Sequence, residues 1–394
     1  MFRLRTTMSL VLLALAAPLA APADVVTDWD TIAATTITPP AGTVLAPAVT
    51  EAERRPTYSV DLATLHVAIY DAVTAIDKTH KPYAIRPTLP TAGASQQAAV
   101  VGAAYGVLKG LYPGRASLYQ AAFDSYVAAA GSDAAKTPGL AIGAEVAAGT
   151  LAVRSNDGRW TAFDSYITTG APADFVPSSP ALVNQFGPYI RPFAIRSAAQ
   201  FRAPPPNYTP RNWRRFANDS QSIATNARLL ALLWVVNADT TIGCFESKYH
   251  YRFWRPRTAI PMADTDGNAQ TTADPGCAPI VPTPNHPEYP AAHTCSEGSL
   301  AESLRQFYDT KNLSFMIDSG VVGLLNPVRH FTSTDQMVSE VTEARIFGGM
   351  HYRNSTREGA RLGRRTAKWI SEHHFQPVED DRDHSDRCAT IESQ

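Results

Sequence analysis

The chain has few charged residues and almost no net charge. Lys and Arg number 35 against 36 Asp and Glu, which gives a formal charge of −1, and charged residues make up only 18% of the sequence. A chain balanced in this way lacks the excess of one sign that attracts nucleic acid or an anionic membrane surface. We therefore expect neither of these as a partner.

Long apolar runs are also scarce. The marked run at residues 10–20 follows Arg3 and Arg5 and precedes the small-residue sequence Ala21-Pro22-Ala23. This arrangement is typical of a secretory signal peptide and is too short for a spanning helix. We expect cleavage before Asp24, a mature chain without a membrane span, and a secreted or periplasmic protein. An uncleaved membrane anchor is the alternative.

Cysteine is rare. The four residues of this type are Cys244, Cys277, Cys295 and Cys388. An exported chain with an even number of cysteines is permitted to form disulfides. Cys277 and Cys295, which flank a histidine segment, are the favoured pair. Buried free thiols are the alternative, because a core of this size does not need cross-links.

Tandem repeats and alternating strand patterns are missing, whereas helical periodicity is frequent. From residue 59 to the polar turn at 77–78, apolar positions recur at spacings of three and four, and Ala-rich segments at 96–110, 116–130 and 138–153 continue the pattern. Helices are also expected from Trp213-Phe216 toward Pro256, from His293 through Phe307, over 334–350 and over 355–373. The sequence predicts an all-α fold, a large helical bundle with long proline-rich loops.

Three parts are expected along the chain. Residues 1–23 form the signal peptide, residues 24–55 an irregular N-terminal arm rich in Thr, Pro and Ala, and residues 56–394 a single helical catalytic domain. Within that domain, residues 156–210 lose the helical pattern and are rich in proline. A connection of this length is usually functional or packed on the surface. We expect it to wrap over the helices and to form one wall of the active-site entrance.

Three short segments between residues 248 and 351 carry the candidate chemistry. They are Lys248-x6-Arg255-Pro256, Pro290-Ala291-Ala292-His293 and Arg345-x5-His351. Together they supply three cations and two imidazoles, a set that fits a tetrahedral oxyanion such as phosphate or vanadate. Two histidines suffice for a ligand or nucleophile and for an acid/base partner.

The spacing within two of these segments indicates how each pair of side chains meets. Lys248 and Arg255 are seven residues apart, so a continuous helix would project both from nearly one face. A solvated basic face is the alternative, although aromatic neighbours make it less favourable because a desolvated cation needs a counter-ion. Arg345 and His351 are six apart, and Gly348-Gly349 offers a break that brings both onto one centre.

The remaining segment, which contains His293, has two possible chemistries. His293 follows a proline-framed approach and is expected at a helix start, where backbone N–H groups favour an anion. His286, Glu288 and His293 also cluster as a zinc site would require. Their irregular spacing through two prolines lacks a regular helical pair, so zinc is disfavoured.

In this order, the three segments resemble the K-x6-R-P, P-S-G-H and S-R-x5-H-x3-D signature of the vanadium-dependent haloperoxidases and the phosphatidic-acid-phosphatase type 2 superfamily. The resemblance implies a mainly helical bundle whose centre holds the anion. It also implies that His293 is the acid/base and that His351 is the axial vanadium ligand or, in a phosphatase, the nucleophile. The groups that it implies for binding the oxygens of vanadate or phosphate are Lys248, Arg255, Arg345 and the backbone N–H of Ala292.

The chain departs from this signature at several positions. Ala291 and Ala292 replace the serine and glycine of P-S-G-H, and Ala344 replaces the serine before the third cation. Ser355 stands where the signature has an aspartate that would orient His351. Metal ligation tolerates the loss of this carboxylate better than nucleophilic attack does, which favours vanadate over phosphoryl transfer.

Two other carboxylates are candidates to replace the missing aspartate. They are Glu343 and Glu358. A carboxylate beside a histidine fixes its tautomer and raises its basicity, so either residue would restore the orienting contact.

The function expected from this resemblance is a vanadate-dependent haloperoxidase. Such an enzyme uses hydrogen peroxide to oxidise a halide, with Lys248 polarising the peroxide and an organic molecule as the acceptor. One alternative is a metal-free acid phosphatase that acts on phosphomonoesters through a phosphohistidine. Another is a non-catalytic oxyanion-binding protein.

Overall fold

The structure is a computed structural model of the chain. It describes residues 24–37, 58–129, 134–162, 166–171, 173–179, 182–202, 221–318 and 328–378. The expected signal peptide, the Trp213-Phe216 segment and Cys388 lie outside these ranges.

Helices dominate the described residues, which confirms the predicted all-α class. The helices before residue 160 are α1 Val25–Ile37, α2 Tyr58–Asp77, α3 Gln96–Leu111, α4 Ala116–Ala129 and α5 Lys136–Arg154. Those after residue 220 are α6 Ile223–Tyr251, α7 Pro256–Ala259, α8 Ala292–Tyr308, α9 Thr334–Phe347 and α10 Arg353–His373. Short 3-10 turns lie at Pro113–Arg115, Gly187–Tyr189 and Ala263–Thr265.

Serine side chains fix the starts of several helices. Ser95, Ser222 and Ser333 precede α3, α6 and α9, and each hydroxyl accepts a hydrogen bond from a backbone N–H in the first turn. Such caps satisfy one of the N–H groups that a helix start leaves without a partner, typically contributing about 1 kcal/mol. These helix starts are therefore specified locally.

Two long apolar helices lie at the centre of the fold. Helix α2 packs against α3, α5 and α6, and α6 also packs against α8 and α10. Both α2 and α6 are long and apolar enough to cross a membrane, but 89% of the most apolar window of each is buried inside the protein. The protein core itself accounts for their composition.

Close packing of α8 on α10 aligns two of the signature segments. At Gly363 in α10, an added Cβ would collide with the carbonyl oxygen of Cys295 in α8. At Gly359, one turn earlier, it would lie 2.7 Å from the oxygen of Ala291. The later glycine of α10 faces the later residue of the α8 segment, so the two helices run in the same direction. The segments that precede the two helices therefore lie side by side.

The expectation of an irregular N-terminal arm is wrong for its first part, because residues Val25–Ile37 form α1. Asp24 accepts a hydrogen bond from the Val26 N–H at 2.8 Å and so caps the helix. Val26, Trp29 and Ala33 then fall on one buried face. The apolar spacing is helical, but it is brief and lies among threonines. Residues 38–55 lie outside the described ranges.

A short hairpin adds strands that the sequence patterns did not predict. Strands β1, Phe315–Asp318, and β2, Val328–Phe331, pair antiparallel. With only four residues each, they give too little alternation to be recognised.

The proline-rich connection after α5 crosses to the C-terminal segments. The Ser178 N–H donates to the side chain of Asn285 at 2.8 Å, and the Val183 N–H donates to the Asn285 carbonyl at 3.0 Å. Its described residues are largely irregular, as the composition predicts. The connection therefore lies against the loop that precedes α8.

Candidate active site

Two buried cations are held by one short stretch of backbone, residues 285–291, which we call the cation loop. The Lys248 ammonium donates to the carbonyl oxygens of Pro287 at 3.1 Å and Glu288 at 2.9 Å. The Arg255 guanidinium donates to the carbonyl of His286 from Nε at 3.1 Å and from Nη2 at 2.9 Å. Their exposed fractions are 0% and 1%, respectively. The K-x6-R-P segment is therefore not a solvated basic face.

The two cations do not share a helix, so that prediction is wrong. Helix α6 ends before Arg252, which adopts a left-handed conformation with φ of 53° and donates its N–H to the Lys248 carbonyl. Beyond it the chain is extended, and the Trp254 N–H donates to the carbonyl of Ala173 at 3.0 Å. Pairing with the proline-rich connection thus outweighs helix continuation, and Arg255 reaches the cation loop from an extended segment.

Positive charge is concentrated around Lys248. The pKa of Lys248 is lowered to about 7, chiefly by burial and also by the nearby charges of Arg255 and Arg345, against an opposing influence from Cys244 and Cys295. Burial also lowers the pKa of Arg255. Cations grouped in this way disfavour one another's charge, so an anion placed among them would relieve both the repulsion and the loss of solvent.

The predicted glycine break separates Arg345 from His351. Helix α9 ends at Phe347, Gly348 follows it as the cap, and Gly349 has φ of +71°. An added Cβ at Gly349 would lie 3.1 Å from Pro279. A positive φ and this close approach both favour glycine. The break thus turns the chain between the third cation and the histidine, as its sequence indicates.

A buried carboxylate faces His351, and it comes from the cation loop. Glu288 Oε1 lies 3.9 Å from His351 Nδ1, and both side chains are buried. Burial lowers the pKa of His351 well below its usual value and raises that of Glu288. Hydrogen bonds from the Tyr352 N–H and the Ser355 hydroxyl partly offset this rise by lowering the pKa of Glu288. Because Glu288 also supplies a carbonyl to Lys248, one residue contacts both the first and third signature segments.

The carboxylates proposed from sequence to replace the missing aspartate are engaged elsewhere. Glu343 forms an ion pair with Arg353, and Glu358 forms one with Arg361 at 2.6 Å. The carboxylate that lies beside His351 is that of Glu288. A single sequence gives no signal for this substitution, since Glu288 lies more than sixty residues from its partner and drew attention only as part of a disfavoured zinc cluster.

The second signature segment forms the start of α8. Ala291 caps this helix with an extended backbone, Ala292 is its first residue, and His293 is the second. His293 is part-exposed, unlike the other candidate histidine. The backbone N–H groups of this first turn have no side-chain cap from Ala291, and such groups attract anions. His293 therefore lies at the solvent-accessible end of the segment that holds the buried cations.

Two cysteines meet beside Lys248, but not the expected pair. Cys295 Sγ lies 2.9 Å from Cys244 Sγ, and both thiols are buried between α6 and α8. Cys277 lies in a loop and is half-buried, so the predicted Cys277–Cys295 disulfide is wrong. Helix packing decided which thiols meet.

The residues of the disfavoured zinc cluster do not form a metal site. His286 faces Arg255 and Phe245, and no group of three metal-binding side chains occurs among the described residues.

Comparison with known proteins assigns the part of the chain that carries the site. Residues 228–380 match the sequence model of the second helical-bundle domain of vanadium chloroperoxidase (VCPO). That range runs from α6 to α10. The vanadium chloroperoxidase of Curvularia inaequalis is 26% identical over 181 residues, a match covering 35% of this chain and 29% of that protein.

The fold extends the likeness to nearly the whole chain. A bacterial vanadium-dependent iodoperoxidase superimposes with a TM-score of 0.70 at 22% identity, covering 91% of this chain and 97% of that one. The chain is therefore similar to the vanadium haloperoxidases in its second helical-bundle domain and in its fold. An apo-type bacterial vanadium-dependent chloroperoxidase gives a TM-score of 0.64 at 15% identity, covering 84% and 96% of the two chains. At these identities the structural likeness shows the fold of the haloperoxidase-like chain and not its reaction.

Proposed function

We propose that the haloperoxidase-like chain is a vanadate-dependent haloperoxidase that uses hydrogen peroxide to oxidise a halide. The observation that carries this proposal is the pair of fully buried cations, Lys248 and Arg255, on neighbouring carbonyls of the cation loop, with Arg345 close enough to affect the first of them. Buried positive charges of this kind are costly without a counter-ion. A resident oxyanion is the simplest group to supply one.

Vanadate fits this set of residues. Lys248, Arg255, Arg345 and the backbone N–H of Ala292 would hold its oxygens, and His351 would ligate vanadium. When bound, vanadate supplies the activation of peroxide toward a halide. Lys248 contributes positive charge near the reacting oxygens, and His293, which is part-exposed, exchanges protons between peroxide and solvent. The iodo- and chloroperoxidases of similar fold support this reaction class.

A phosphatase is the second candidate, and one observation favours it. The sequence argument against a nucleophilic His351 was the loss of its aspartate partner, but Glu288 places a buried carboxylate 3.9 Å from Nδ1. A histidine backed in this way suits attack on phosphorus as well as metal ligation. In that reaction, the three cations would stabilise the transferring group and His293 would protonate the leaving oxygen.

Parallel assays separate the candidates. Purified protein is tested for halide oxidation by peroxide and for phosphomonoester hydrolysis, each with and without added orthovanadate. A haloperoxidase gains halide oxidation with vanadate, whereas a phosphatase is inhibited by it. His351→Gln is expected to abolish either activity, and His330→Gln, at an exposed histidine, to leave it unchanged. Vanadate binding without either activity would leave only an oxyanion-binding protein and refute the enzyme proposal.

The proposal includes export of the mature chain. It is supported by the arginines at positions 3 and 5, the apolar run at 10–20 and the small residues at 21–23. N-terminal sequencing of protein from the medium or periplasm is expected to begin at Asp24. Retention of an intact N terminus in the cytoplasmic fraction would contradict export.

A further inference from the structure

We infer that Glu288, in the cation loop, is the positioning residue for His351. It performs the task that the superfamily signature gives to an aspartate four residues after the histidine. The inference rests on the proposed function, because it concerns how His351 is presented to the anion. It assigns a role to the cation loop that the signature itself does not contain.

The contacts of Glu288 fix both its backbone and its side chain. Its N–H donates to the carbonyl of Phe253 at 2.8 Å, and its own carbonyl accepts from Lys248 at 2.9 Å. Its carboxylate accepts from the Ser355 hydroxyl at 3.0 Å and from the Tyr352 N–H at 3.3 Å. A fully buried carboxylate anchored at so many points has a defined direction.

Ser355 explains why a glutamate from another segment can serve here. The position that would hold the signature aspartate carries a short side chain, and the Glu288 carboxylate lies against its hydroxyl. An aspartate at 355 would compete for that volume and place a second buried negative charge beside the first. Serine instead donates a hydrogen bond to the Glu288 carboxylate, so the carboxylate beside His351 comes from the cation loop and not from α10.

The geometry selects one ring nitrogen of His351. Nδ1 is the atom that faces Glu288, at 3.9 Å. This separation exceeds a hydrogen bond by about 1 Å, and catalytic hydrogen bonds often shorten only in the substrate complex. When Nδ1–H donates to the carboxylate, Nε2 keeps its lone pair for a vanadium or phosphorus atom.

The first test reads the tautomer of His351 in the anion-free, full-length protein. Long-range proton–nitrogen spectra of protein labelled with ¹⁵N-histidine report which ring nitrogen carries the proton, with His351→Gln supplying the assignment. At neutral pH we expect the Nδ1–H form in wild type and its loss in Glu288→Gln. Glu358→Gln, at another buried glutamate, is the matched control and is expected to leave the tautomer unchanged. An Nε2–H form in wild type, or no change in Glu288→Gln, would overturn the inference.

The second test measures orthovanadate and phosphate affinity by calorimetry. Loss of an outer partner of a metal-ligating histidine typically weakens binding 10- to 100-fold. We expect about that loss in Glu288→Gln and Glu288→Ala, and a change below about twofold in Glu358→Gln. The double variant Glu288→Ala/Ser355→Asp returns a carboxylate from α10 and is expected to recover most of the affinity.

A purely structural role for Glu288 gives a different pattern. The double variant would then bind no better than Glu288→Ala. Provided that both variants fold, this result would refute the positioning role. Wild-type protein that binds neither anion would refute the proposed function instead. The tautomer measurement would still decide the role of Glu288, since it needs no bound anion.

Discussion

Replacing Lys248 by methionine is expected to change how the stability of the protein depends on pH. Methionine has a similar length and no charge, so the variant removes a titrating ammonium from a site with 0% exposure. It also deprives the carbonyls of Pro287 and Glu288 of a donor, which lowers stability by a few kcal/mol at every pH. The pH-dependent part of the difference in unfolding free energy between the two proteins therefore reports the charge of Lys248.

The sign and size of that part follow from the shifted pKa. The pKa of Lys248 falls from 10.5, the value of an unperturbed lysine, to about 7 in the folded protein. Between these values the unfolded chain holds a proton that the folded chain has released, so stability rises with pH. The slope rises from about half of 1.4 kcal/mol per pH unit at pH 7 to nearly the full value at pH 9, so wild type is expected to gain about 2 kcal/mol relative to Lys248→Met over this range.

Urea unfolding of both proteins across this pH range measures the difference directly. Lys368→Met, which removes a lysine with 61% side-chain exposure, is the control and is expected to show no such slope. Saturating phosphate should reduce the slope, because an anion beside Lys248 lets the folded state keep its proton. Parallel pH curves for wild type and Lys248→Met would refute the description of a desolvated ammonium.

Three further substitutions test other parts of the structure. Gly349→Ala is expected to cost about 1–2 kcal/mol, because its φ of +71° suits glycine, and to weaken phosphate binding measured by calorimetry; unchanged stability and affinity would contradict the role of the break. Arg345→Met is expected to weaken phosphate affinity about 10-fold or more, as the loss of a charged hydrogen bond implies, while leaving the circular dichroism spectrum intact; equal affinity would exclude this cation from the site. Trp29→Ala is expected to lower the free energy of unfolding by about 3–5 kcal/mol, because α1 buries this ring; a loss within 0.5 kcal/mol, as at a surface position, would show that α1 is peripheral.

Local sequence signals were sufficient for most helices. The expected helix from Ser59 to Asp77 is observed as Tyr58–Asp77, and that over 355–373 as Arg353–His373. Apolar spacing sets these helices, and the polar turn at residues 77–78 marks the end of the first. Helix α1 was missed because its apolar face is short, and the hairpin because each strand has four residues.

Sequence by itself determined which residues are available for the site: three cations, two histidines and a glycine break, each recognisable from residue type and spacing. Tertiary structure decided how they are held. The end of α6 before Arg252, the meeting of Cys244 with Cys295 and the approach of Glu288 to His351 all depend on contacts between segments distant in the chain. Spacing records periodicity within a segment, but not which buried carboxylate fills the volume that Ser355 leaves beside a histidine.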